Sequence, residues 1–83
     1  MYELIIKRYV DNLQKQDILI FANKEGINLN NDEIDILYTY IKKHWKFILK
    51  DNPYDLFLEI KPHLNDEAYS KMIELYEKYK KVI

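Results

Sequence analysis

No cysteine occurs in the 83 residues, which excludes disulfides, thiolate metal sites and cysteine nucleophiles and fits a reducing compartment. A single glycine, Gly26, rules out a glycine-rich phosphate loop. The only serine, Ser70, and the only threonine, Thr39, fall inside helical patterns, with no glycine elbow to present a nucleophile. No catalytic site is expected. Eighteen apolar residues never run together, so no transmembrane helix is expected. The opening "MYELIIKRYV" mixes charges with a short apolar run and has no small-residue cleavage site, so it does not read as a secretory signal. A soluble, cytoplasmic chain is the expectation. With a formal net charge of -1, there is no global field to collect nucleic acid, anionic lipid or acidic substrates.

What is present points to a folded chain. Hydrophobic residues make up 48% and charged residues 33%, far from the composition of disordered segments. The length suits one modest core, so residues 1–83 are read as a single helical domain. No repeat, low-complexity tract or strand-like alternation is visible.

Apolar spacing predicts an all-α bundle of about five helices, over residues 2–13, 16–25, 31–50, 53–61 and 66–81. In the first, Tyr2, Ile5, Ile6, Tyr9, Val10 and Leu13 recur at three- and four-residue steps and form the expected buried face. In the second, Ile18, Leu19 and Ala22 point inward. Gly26 then closes the helix, because a glycine adopts the left-handed conformation without a Cβ penalty. Asn30 and Glu33 match a capping box at the start of the third helix. Ile34, Leu37, Tyr38, Ile41, Trp45, Ile48 and Leu49 mark its apolar face. A second apolar line, Ile36, Tyr40 and Phe47, widens that arc, as for a helix packed by several neighbours or by another subunit. Asn52 and Pro53 start the fourth helix, and Pro62 should end it near Ile60. Asn65 caps the fifth, whose buried positions include Ala68, Tyr69, Met72, Leu75, Tyr76 and Tyr79. On its exposed side Glu67 with Lys71, Glu74 with Lys78 and Glu77 with Lys81 have ion-pair spacing.

Two stretches raise the question of nucleic acid. Ala22 and Gly26 have the spacing of a helix-turn-helix elbow at residues 26–30, but the helix after it opens with Asp32, Glu33 and Asp35. Carboxylates at that end would face the phosphates of a duplex, so the elbow reads as structural. "KKHWKFILK" is the most basic stretch, and Lys42, Lys43, Lys46 and Lys50 form a candidate anion or nucleic-acid patch. Against this, lysines near a helix C-terminus complement its dipole and are ordinarily solvated. His44 and His63 have no partner at ligand spacing, so neither a metal nor any other cofactor is expected.

Eight tyrosines in so short a chain are more than a small core absorbs with their hydroxyls satisfied. Off-stripe aromatics are enriched at protein interfaces. Tyr40, Phe47 and Tyr54 are therefore the candidate protein-interface residues.

"DILIFANKEGINL" and "KFILKDNPYDLFLEIKPHL" together resemble the YqfT-like small helical domain of unknown function from Gram-positive bacteria, over roughly residues 5–80. The resemblance implies a bacterial all-helical fold and assigns no activity, ligand or catalytic residue. The functional expectation is a small non-catalytic module for protein-protein interaction or self-association, with a homodimer among its forms. Nucleic-acid binding through residues 42–50 is the alternative.

Overall fold

The computed structural model describes residues 2–80, apart from the side chains of Tyr2 and Tyr79. The expected burial of those two rings, and the pairing of Glu77 with Lys81, lie outside the described residues. The chain is all-α, with α1 (Tyr2–Asp11), α2 (Lys15–Lys24), α3 (Asn31–Lys50), α4 (Tyr54–Ile60) and α5 (Asp66–Tyr79). A short 3-10 turn at Lys61–His63 joins α4 to α5, and no strand occurs among the described residues.

Local chemistry accounts for the boundaries. At the end of α2 the Ile27 amide donates to the Ala22 carbonyl at 2.8 Å, and the Gly26 amide to the Asn23 carbonyl at 3.2 Å. This is a Schellman closure, and it requires the positive φ of 73° that Gly26 adopts. Helix α3 begins at a complete capping box. The Glu33 amide donates to Asn30 Oδ1 at 2.8 Å, and the Asn30 amide donates to Glu33 Oε1 at 2.9 Å. Asn65 caps α5 by accepting from the Ala68 amide at 2.8 Å. Helix α2 starts one residue earlier than its apolar spacing predicts, because the Asp17 carboxylate accepts from the Gln14 amide at 2.8 Å. Helix α4 ends at Ile60, as Pro62 predicts, and the chain continues as the 3-10 turn. Pro62 sits early in that turn, where no amide hydrogen is required of it.

Helix α3 is the spine. On one side, Leu13, Ile18 and Ile34 form a buried cluster with Leu29, Leu37, Tyr38 and Ile41 packed against it. On the other, Phe57, Ile60 and Leu64 form a second cluster against which Ile36, Tyr40, Tyr69, Met72 and Tyr76 pack. A third and smaller cluster, Ala22, Ile27 and Ala68, ties the elbow to α5. The wide apolar arc of α3 is thus explained in large part by neighbours on two sides of the same chain. Tyr54, Phe57 and Tyr76 meet edge to face with centroids 5.3–5.9 Å apart, the arrangement that ring quadrupoles favour.

Among the described residues one charged side chain lies inside. Glu33 is only 5% exposed, and its second oxygen, Oε2, accepts from the Asn65 amide at 2.6 Å and from Asn65 Nδ2 at 3.0 Å. Asn65 Nδ2 also donates to the Asn28 carbonyl at 2.9 Å. A buried carboxylate is tolerated when its oxygens are satisfied in this way.

Candidate interaction surface

Helices α1 and α2 are ten residues each, and each gives only a narrow face to α3. From α1 and the turn after it, Val10 and Leu13 are buried and Ile6 is half-buried. The expectation that Ile5 and Tyr9 share that buried face is corrected: they are 64% and 72% exposed. On a helix of 3.6 residues per turn these two lie about 60–100° to one side of Ile6, beyond the arc that α3 covers. In α2, Ile18 and Ala22 are buried as expected, while Leu19 is exposed and not inward. Phe21, 43% exposed, lies on the same edge as Asp17.

Beyond these edges the helices stand apart over a cleft of about 360 Å³. Its floor is Leu13, Ile18, Ala22 and Ile27, and its rim includes Tyr9, Phe21 and Leu75. Among the described residues Asp17 is the one charged side chain lining it. A shallower depression of about 480 Å³ adjoins it, sharing Tyr9 and Asp17 and adding Ile5, Arg8 and Asn12. Apolar concavities with few polar groups are the usual form of binding sites, and nothing in this arrangement supplies a nucleophile beside a base.

The three aromatic residues singled out by sequence are not brought together as one exposed patch. Tyr40 packs on the Phe57 cluster and lies 5.5 Å from the His44 ring. Tyr54 packs on the same cluster and is half-buried. Phe47 is exposed. Sequence reasoning passed over Ile5, Tyr9 and Phe21, because their spacing suits a buried face as well as an exposed one.

The basic stretch is partly consumed within the chain. Lys50 Nζ meets Glu3 Oε2 at 2.9 Å, and Lys42 Nζ donates to the Asp11 carbonyl at 3.1 Å. The hydrogen bond from Lys50, reinforced by its charge, holds the Glu3 carboxyl below its ordinary range. The hydrogen bond from Lys7, at 2.8 Å, does the same for Asp11. Lys46 lies over the Trp45 ring at 5.6 Å, and Lys43 is exposed. Lys42, Lys46 and Lys50 therefore run beside the carboxylates of Glu3 and Asp11 on α1, and the four lysines do not stand together as an isolated cationic strip.

At the elbow, Asp32 is exposed, Asp35 pairs with Lys15 at 2.9 Å, and Glu33 is bound to the start of α5. On α5, Lys71 pairs with Glu74 at 3.4 Å, a step of three residues in place of the expected pairing with Glu67. Among the described residues no group of three or more histidine, aspartate or glutamate side chains is placed to hold a metal ion. No helix among them is long and apolar enough to cross a membrane. Compared with known protein families, with curated proteins and with solved structures, the chain matches none.

Proposed function

We propose that this chain is a small, non-catalytic, cytoplasmic module that works by binding another protein surface, its own or a partner's. The observation that carries the reading is the open apolar cleft between α1, α2 and α5, with Ile5, Tyr9 and Phe21 exposed beside it. Leaving three large apolar side chains partly in water forgoes a share of the roughly 1.5–3 kcal/mol that full burial of each would give, so a surface that covers them gains binding energy. Aromatic residues at the centre of such a patch are the usual anchors. Phe47 remains a secondary contact candidate, whereas Tyr40 and Tyr54 serve the core first. The YqfT-like resemblance is kept as a proposal about ancestry and adds no activity.

The test is crosslinking in the native cell with the wild-type chain and with Tyr9→Ser and Phe21→Ser, each checked for unchanged helicity. Products captured by the wild type should be lost in both variants. An identical set of products from all three would remove the reading.

A further inference from the structure

The cleft does not stand alone, because charges of both signs lie beside it. Arg8 is the only arginine, and among the described residues nothing pairs with its guanidinium. Asp17 gives one carboxylate oxygen to the Gln14 amide, and its other oxygen has no hydrogen bond among the described residues. Both side chains are exposed, and both line the depression beside the cleft without forming an ion pair. An acidic partner drawn by Arg8 would press against Asp17, and a basic partner drawn by Asp17 would meet Arg8. A fatty-acid carboxylate has the first difficulty. A surface carrying both signs is complemented by another that carries both, turned by half a revolution.

We infer that a second copy of this chain covers the cleft as an isologous dimer, with Arg8 of each copy paired to Asp17 of the other across the depression. In a two-fold interface every contact occurs twice with its roles exchanged, so one cation and one anion near the axis form two ion pairs. Tyr9 and Phe21 then bring the apolar edge of each copy against the mouth of the other's cleft. The net charge of -1 sets up little long-range repulsion between copies. Two helices of ten residues offer a face roughly 15 Å by 20 Å, about 600 Å² over both copies and well below the roughly 1,200 Å² of stable interfaces, so the dimer is weak and exchanging. This assignment rests on the interaction-module reading above and names its partner.

Sedimentation equilibrium of the full chain, from about 1 μM to about 1 mM, tests it. The wild type should pass from monomer to dimer across that range, and Tyr9→Ser should stay monomeric. Arg8→Asp and Asp17→Arg should each weaken dimerisation by about tenfold or more, because each places like charges opposite one another. Mixed in equal amounts, the two variants should associate again, since their heterodimer restores two opposite-charge pairs. Where Asp17→Arg loses its helix start and unfolds, Asp17→Asn keeps an acceptor for Gln14, and its weaker dimer should lose the salt sensitivity of the wild type. Dimerisation indifferent to the charge reversals, or no recovery on mixing, overturns the assignment. A wild type that is monomeric throughout overturns it too, including one that takes up a fluorescent fatty acid. If that monomer still loses its crosslinked products on Tyr9→Ser, the broader module reading stands; if it has none to lose, both fail.

Discussion

Glu33 accepts two hydrogen bonds from Asn65, a residue 32 positions later, at 2.6 Å from the backbone amide and 3.0 Å from Nδ2. Each residue is also part of a helix start: Glu33 completes the capping box of α3, and Asn65 caps α5. Two helices that are distant in sequence therefore begin at one shared carboxylate. That junction holds the elbow and α5 in place on either side of the cleft.

Removing the carboxylate should be costly. Glu33→Ala leaves the Asn30 amide, the Asn65 amide and one Asn65 side-chain donor without their acceptor, for an expected loss of about 3 kcal/mol. Asn65→Ala should cost about 2 kcal/mol through the lost cap. In urea unfolding the double variant should fall short of the sum by at least about 0.5 kcal/mol. Simple additivity would mean that the two starts are independent.

Gly26 stands at φ 73°, and a Cβ built there would meet nothing within 4 Å. The penalty of Gly26→Ala is therefore conformational and not steric, expected at about 1 kcal/mol. Gly26→Asn should cost less, because asparagine tolerates the left-handed region. Thermal unfolding of the three proteins gives the order; equal stability of the glycine and alanine forms would contradict it.

The ion pair between Lys50 and Glu3 makes stability depend on acidity in a defined direction. Because Glu3 is held below its ordinary range, its contribution is full above the unfolded-state value of about 4.3 and is lost as pH falls through the folded value. Lys50→Met should lower the melting temperature slightly at neutral pH. The difference from wild type should fade as pH falls through the folded value of Glu3, and also in 1 M salt, where screening length shrinks to about 3 Å. A difference that persists at low pH would assign the effect to packing.

For nucleic acid, a low-salt gel-shift titration with duplex DNA and single-stranded RNA should show no complex at high micromolar protein. Lys42 and Lys50 already bind groups of α1, and the carboxylates of Glu3 and Asp11 lie alongside. A shift that weakens steeply as salt rises would instead restore Lys42, Lys43, Lys46 and Lys50 as a binding strip.

Helix α3 was legible to the residue, from Asn31 to Lys50, because its signals are local: Asn30 and Glu33 lie three positions apart and bond to each other. The same holds for Gly26 after α2 and Asn65 before α5. The start of α2 was missed by one residue, since Gln14 with Asp17 is a less familiar capping pair than Asn with Glu. The cleft was not legible. Ile5 and Tyr9 keep the same helical spacing as Ile6 and Val10, and periodicity marks an apolar arc without saying how much of it a neighbour covers. The aromatic surplus had the same ambiguity, and it was resolved differently for Tyr54, half-buried in the core, and for Tyr9, left at its edge.

By itself the sequence determined the five helices and most of their ends to within a residue or two, α1 stopping at Asp11 and not at Leu13, because those depend on bonds between residues up to about five apart. Tertiary structure alone decided that Glu33 would meet Asn65, that Lys50 would meet Glu3, and that α1, α2 and α5 would leave a gap. These depend on which surfaces come into contact once short helices with similar apolar stripes share one spine, and on α1 and α2, ten residues each, being packed so that part of their apolar arcs stays uncovered.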